Sequence, residues 1–191
     1  IQVGHVERFN SAVQAIGRLM PKPRFIEVHR LGPFTPRVQD VGVVLDLMIH
    51  DIDIVLGLTG SRIKDIQAIG MKILSPHEDI ANARMIFEDG TVTNLTVSRI
   101  SHKTLRKIRV FQPDAYFSVD CARRELSIIR LCGEANALDQ GLEFTSRKLT
   151  FPGTDPLADE ISSFVHAVRN GSDPVVSGRD GRNALAIALE I

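Results

Sequence analysis

The sequence has no excess of charge of either sign: 23 basic side chains face 23 acidic ones in 191 residues. That balance removes the electrostatic reason to expect nucleic acid or an anionic membrane as a partner. Long hydrophobic runs are also missing, because charge interrupts every apolar stretch before it could span a bilayer. Cysteine is scarce. Cys121 and Cys132 are the only two, and they lack metal-type spacing, which points to a reducing compartment and a cytoplasmic protein rather than to a disulfide scaffold. The opening residues have neither a basic n-region nor an apolar h-region, so they do not read as a signal peptide. Finally, no G-x-G-x-x-G occurs. Without it nothing is set up to offer a helix N-terminus to a dinucleotide pyrophosphate, and no nicotinamide nucleotide is expected to bind this chain alone.

What is present is ordinary for a globular domain, with 43% hydrophobic and 24% charged residues and length for one core. Asn10 reads as the N-cap of a helix to about Leu19, ended by Pro21-Lys22-Pro23. Residues 24–31 read as a strand, 32–39 as a loop, and 41–58 as a buried helix closed at Gly60. Strands are expected over 62–72, 80–87 and 91–99, with Asp89-Gly90 as a two-residue hairpin turn. Further strands are expected over 104–112, 115–120, 126–131 and 142–150. Asp155-Pro156 opens a helix that Asn170-Gly171 closes, and a last helix runs from about Gly181, apolar nearly all round from Ala184 onward. Strands in succession without helices between them predict an α+β fold: an open, largely antiparallel, mixed sheet with helices on one face. Val92, Asn94, Thr96 and Ser98 share one strand face of mixed polarity, which suits a second copy of the chain lying against the sheet. The chain opens on strand-like residues and stops inside a helical pattern, so both ends read as cuts through a larger fold.

The helix over 41–58 carries the most information. Beyond Asp40 it is apolar except at Asp46, His50, Asp51 and Asp53. Asp46, His50 and Asp53 stand at i, i+4 and i+7, on one stripe of an ideal helix. A polar stripe on a buried helix must meet partners, water or a pocket. Gly57, one turn on, reads as a place where another backbone comes close. Three readings follow from spacing: an Asp–His network that fixes the core, a metal site made by Asp46, His50 and Asp53, or a site in which His50 is a general acid/base. Arg8, Asn10 and Arg37 are further candidates for lining a pocket, with Arg37 able to grip a carboxylate or phosphate. His5, His29, His77, His102 and His166 are set aside as structural or exposed.

Gly42, Asp46, His50 and Asp53 resemble the Gly-x-x-x-Asp-x-x-x-His-x-x-Asp signature of the glucose–fructose oxidoreductase / inositol dehydrogenase / rhizopine catabolism (Gfo/Idh/MocA) family. The opening Val3-Gly4-His5-Val6-Glu7-Arg8-Phe9-Asn10 is similar to the segment that follows the family's catalytic-lysine region. The stretch from Leu157 to Phe164, then Asn170-Gly171, Pro174-Val175-Val176-Ser177-Gly178-Arg179-Asp180-Gly181 and an Ala-rich helix, also fit. The resemblance covers essentially the whole chain, in order. It implies a single C-terminal substrate-binding and oligomerisation domain over 1–191, without the family's N-terminal Rossmann domain and its catalytic lysine. The parent would be an NAD- or NADP-dependent oxidoreductase acting on the hydroxyl of a sugar, polyol or nucleotide-sugar. By that resemblance His50 exchanges the reacting proton, Asp46 orients the substrate or tunes His50, and Asp53 is structural. A cofactor-free sugar-binding or scaffold module is the alternative from a different class.

Overall fold

The computed structural model describes residues 1–20, 22–35, 40–132 and 143–191. A 3-10 turn at Val6–Phe9 leads into α1 (Ser11–Leu19), and Asn10 is its cap, its side chain accepting from the Ala12 N–H at 3.1 Å. Strand β1 (Phe25–Leu31) follows, then a five-residue π-helical segment (Val44–Met48) that runs into α2 (Ile49–Thr59). Gly60, with φ of 60°, ends that helix in the left-handed conformation that glycine adopts without strain. Then come β2 (Ile63–Met71), β3 (Ile80–Phe87), β4 (Val92–Ser98), β5 (Leu105–Phe111), β6 (Ala115–Asp120), β7 (Glu125–Cys132) and β8 (Glu143–Thr150). Two helices, α3 (Pro156–Asn170) and α4 (Gly178–Glu190), complete the described chain. The last helix starts three residues earlier than its apolar pattern shows, because Ser177 and Asp180 form a reciprocal capping box at its N-terminus.

All eight strands join one sheet in the order β2-β3-β4-β1-β5-β6-β7-β8. Every neighbouring pair is antiparallel except β1 and β4, which run parallel with Phe25 opposite Val92 and Leu31 opposite Ser98. The sheet is thus two antiparallel meanders joined by β1. Alternation decides which face is covered. Ala81, Ala83, Met85 and Phe87 of β3 are buried, as are Leu95 and Val97 of β4, Ile108 and Val110 of β5, and Phe117 and Val119 of β6. They form the core with Ile16 of α1 and with Met48, Ile52 and Val55 of the π and α2 segments.

The opposite face carries the intervening residues. Strand pairing lines up Ile86, Val92, Phe25, Phe111, Tyr116 and Ile129 in one row across it. Phe25 and Phe111 lie 5.6 Å apart between ring centroids, and Phe111 and Tyr116 5.0 Å. A polar row runs alongside, where Arg84 donates to Asn94 and Asn82 donates to Thr96. Val92, Asn94 and Thr96 share this face half-buried, while Ser98 is buried.

One turn differs from its sequence reading. The β3–β4 connection is not a two-residue hairpin with positive φ at both centres. Gly90 has φ of 85°, but Asp89 does not share the left-handed region. The loop is closed by the Phe87 N–H on the Thr91 carbonyl at 2.9 Å, and the Asp89 carboxylate accepts from the Thr91 N–H at 3.0 Å. A four-residue loop with an aspartate bracing its own backbone needs only one glycine.

Candidate active site on the buried helix

The helix bearing His50 starts against a rigid corner of the sheet. Glu78 accepts from Val43 N–H through its carbonyl at 3.0 Å and from Val44 N–H through its carboxylate at 3.3 Å. A Cβ on Gly42 would collide with that carboxylate, which is why glycine stands there. The next residue, Asp79, is fully buried. Arg99 Nε donates to its Oδ1 at 2.8 Å, and the backbone N–H groups of Ile73, Leu74 and Ser75 all converge on its Oδ2. Burial opposes ionisation of this carboxyl, but Arg99 and those N–H groups outweigh it and hold the group well below the usual carboxylate range. Arg99 also donates to the Val41 carbonyl at 2.9 Å, tying the corner to the segment just before the helix.

Along the helix the three stripe residues do not meet. Asp46 lines a cavity of about 240 Å³ with Arg30, Thr35, Ser98 and Arg106. Asp53 lines a separate cleft of about 430 Å³ with Arg8, Gly57, Arg62, Asp180 and Asn183. His50 stands half-buried between these two positions on the helix. Asp46 lies in the π segment and Asp53 in α2, about 10 Å further along the axis at ordinary helical rise, so the two reach different cavities. Among the described residues no three His, Cys, Asp or Glu side chains gather closely enough to hold a metal ion.

The surroundings of His50 come from other elements. Arg30 of β1 makes a buried, two-pronged ion pair with Asp51 at 2.7 and 2.8 Å and lies 3.7 Å from Glu7 of the 3-10 turn. Burial opposes the charge on Arg30, and Asp51 and Glu7 more than offset it, so its pKa is raised. His5 comes in from the N-terminal segment with its Nδ1 3.2 Å from the Nδ1 of His50. Burial lowers the pKa of His50, helped by Arg30 and His5 and opposed by Asp51 and Glu7. A neutral imidazole is the form that can accept a proton, so the environment keeps His50 in the state of a base. Asp53 pairs with Arg8 at 3.6 Å. Burial pushes its carboxyl up, opposed by Arg8 and His5.

The remaining sequence candidates separate cleanly. Arg8 lines the larger cleft and lies across Gly57, where any Cβ would strike its guanidinium. A side chain, not a second backbone, therefore explains that glycine. Asn10 is buried and its amide is fully engaged: besides capping α1 it donates to Glu7 at 3.0 Å and to the Cys121 carbonyl at 2.9 Å. Its role is a cap and brace, leaving no donor for a ligand. Arg37 lies outside the described residues. Asp53 sits in the middle of α2 rather than at its end. Sequence reasoning missed His5, Glu7, Arg30 and Asp51. Arg30 had one signal available, a lone arginine at an inward position of a strand whose neighbours Ile26 and Val28 are core.

Comparison with known proteins sets this site in context. Residues 19–117 match the GFO/IDH/MocA C-terminal domain. UDP-N-acetylglucosamine 3-dehydrogenase of Acidithiobacillus ferrooxidans is 34% identical across the whole chain. Its crystal form superposes with a TM-score of 0.89 over 98% of this chain and 60% of that one. Myo-inositol 2-dehydrogenase of Thermotoga maritima is 23% identical over 87% of this chain and 52% of its own length. Levoglucosan dehydrogenase in complex with NADH shares the fold, with a TM-score of 0.79 at 13% identity, over 98% of this chain and 62% of that one. The chain spans 61% of the length of the Acidithiobacillus relative. With a match over more than half its residues, the signature helix in place and the same sheet, the chain belongs to the GFO/IDH/MocA C-terminal domain family.

Proposed function

We propose that this chain is the substrate-binding and oligomerisation domain of an NAD- or NADP-dependent oxidoreductase acting on a hydroxyl of a sugar, polyol or nucleotide-sugar. The observation that carries this reading is His50: a half-buried imidazole, kept neutral by burial and Arg30, on a helix anchored at its start by Glu78 and the Asp79–Arg99 corner. In this reading His50 takes the proton of the substrate hydroxyl during oxidation and returns it during reduction. Asp46, half-buried beside Thr35 and Ser98, orients the substrate by accepting from its neighbouring hydroxyls. Arg8 borders a second cleft that extends the binding surface.

In this reading the described residues are not the dinucleotide's own site. The starts of α1, α3 and α4 are capped by Asn10, Asp155 and the Ser177–Asp180 box, and Glu78 fills the start of the His50 helix. Three of these four carry a carboxylate, which repels a pyrophosphate where a binding site would attract it. In this reading the nicotinamide nucleotide that accepts the hydride is held by the remainder of a longer parent. The bare apolar surface of the last helices supports such a neighbour: Leu157, Ile161 and Val168 of α3 and Leu185 and Leu189 of α4 are exposed. The aromatic row on the open sheet face suits a second copy of the chain, giving a homo-oligomer. No helix among the described residues is long and apolar enough to cross a membrane.

The test is His50→Ala in the full-length parent. Turnover should fall by ~10²–10⁴-fold with the fold retained. Oxidation of substrate at near the parental rate would make His50 structural and overturn the reading.

A further inference from the structure

His5 does not belong to the signature helix, yet its ring is the one that meets His50. It is buried at 4% exposure, and the two rings meet edge to face at 82° with centroids 5.3 Å apart. Two Nδ1 atoms 3.2 Å apart hold one proton between them, so one ring donates and the other accepts. Each neutral imidazole has a single N–H, and the direction of this bond therefore decides what the far nitrogen of each ring carries. If His50 donates, its Nε2 is a bare lone pair and a base. If His5 donates, the Nε2 of His50 already holds a proton and cannot accept another without charging the ring.

The charges around the pair choose between these. His5 Nε2 is buried and has no hydrogen-bond partner among the described residues. The carboxyls that feel His5 are Asp53 of α2 and Glu160 of α3, both drawn toward ionisation by it. Burial raises the pKa of both, and it is their ionised forms that favour an N–H edge on His5 over a lone pair. His50 faces the guanidinium of Arg30 from β1, with Asp51 on its own helix and Glu7 on the 3-10 turn. Arg30 is itself paired with Asp51 and Glu7, so the choice of edge rests on the His5 side. We propose that His5 is a positioning residue that accepts the Nδ1 proton of His50 and so fixes His50 as the tautomer whose Nε2 is free to take a proton from the substrate hydroxyl.

This rests on His50 being the acid/base group. When its Nε2 accepts the proton, the substrate O–H bond breaks and an N–H bond forms, leaving one positive charge on the pair. The Nδ1 proton can then cross: the His50 Nδ1–H bond breaks, a His5 Nδ1–H bond forms, and the charge moves to His5 beside Asp53 and Glu160. His50 is neutral again with a proton on Nε2, ready to return it in the reverse direction. No electrons change hands in either transfer. The geometry also gives a use to His5 Nε2, which is buried without a hydrogen-bond partner among the described residues on the side where that charge would arrive.

The experiment uses the intact protein labelled with ¹⁵N-histidine, and long-range proton–nitrogen spectra to read the tautomer of each ring, with His50→Gln to assign the signals. The expected result is the N–H of His50 on Nδ1 and that of His5 on Nε2. His5→Phe should return His50 to the Nε2–H tautomer that free imidazole side chains prefer, and His5→Asn, whose side-chain oxygen can accept at the same place, should restore the Nδ1–H form. In the full-length enzyme His5→Phe should lower kcat by roughly 10²-fold, the scale on which a mis-set tautomer acts. KM should hold, the acid limb of the pH profile should shift, and His5→Asn should recover most of the rate. A proton on Nε2 of His50 in the unmodified protein overturns the proposal, whatever the variants do. So does a His5→Phe enzyme with unchanged kcat and pH profile. If the tautomers are as expected but His50→Ala still turns over normally, the positioning geometry stands and the acid/base assignment of His50 falls.

Discussion

Two clusters of buried charge hold the helix of His50, and they are built differently. At its start, both carboxylate oxygens of Asp79 are taken, one by Arg99 and the other by three backbone N–H groups. Further along, the Asp53 carboxylate meets Arg8 only at 3.6 Å, and its Oδ2 and the Nε2 of His5 are buried without hydrogen bonds among the described residues. A saturated cluster fixes a backbone in one arrangement, because every alternative breaks several bonds at once. An unsaturated one leaves groups whose protonation is still undecided. The first kind anchors the helix, and the second lies where the proposed proton transfer would take place.

The comparison can be broken by paired substitutions. Asp79→Ala strands the buried Arg99 and three backbone donors and should cost ~3–5 kcal/mol, read as a drop in the denaturant midpoint. Asp53→Asn, the same loss of charge from the other cluster, should cost less than about 1 kcal/mol, because the carboxylate it removes is already disfavoured by burial. Equal losses in the two variants would end the distinction between the clusters.

Stability against pH sharpens it further, since the two aspartates shift in opposite directions. Asp79 is depressed, so its contribution is complete above the unfolded carboxylate pKa of about 4 and is lost as pH falls toward the folded value. Asp53 is raised, so the fold is most favoured while that group is protonated, and stability declines as pH rises from about 4 through its folded pKa. His50, a base with a lowered pKa, adds a loss as pH falls below about 6.5 that levels off once the folded ring is protonated. Unfolding curves at several pH values should show the acid slope vanish in Asp79→Asn and the neutral-range slope vanish in His50→Gln.

The smallest effect concerns the open sheet face, which neither cluster touches. If the proposed homo-oligomer forms through this face, Thr96→Arg should weaken it in sedimentation while leaving the stability of the single chain within about 0.5 kcal/mol. An unaltered sedimentation profile would place the contact elsewhere.

Much of the fold was legible because its signals are local. The cap at Asn10, the Asp155-Pro156 start, the Gly60 and Gly171 stops and the alternation of Ala81, Ala83, Met85 and Phe87 each announce themselves within a few residues. The signature helix was legible too, but its geometry was not. Helical spacing put Asp46, His50 and Asp53 on one stripe, but it does not say which cavities the two ends of that stripe meet, and no residue type announces the π segment that carries Asp46. His5, Glu7 and Arg30 reach the site across the fold, from partners as much as 45 residues away in sequence, and single-sequence periodicity carries no record of such meetings. The two-residue hairpin at Asp89-Gly90 failed for a smaller reason: an aspartate can brace a longer loop as readily as it can enter a tight one.

The placement of β1 has a consequence for how the molecule is assembled. Strands β2 to β4 and β5 to β8 are each chains of near neighbours, the kind of pairing that closes early because little loop entropy is lost. Strand β1 is different. It precedes the other strands of this sheet in sequence, yet its partners are residues 92–98 on one side and 105–111 on the other. It must wait, unpaired, for some sixty residues of later chain, and until it docks β4 and β5 each present an open edge to any passing strand. Docking of β1 therefore closes the longest-range pairing in the sheet, and until it happens residues 25–31, 92–98 and 105–111 all expose unpaired backbone.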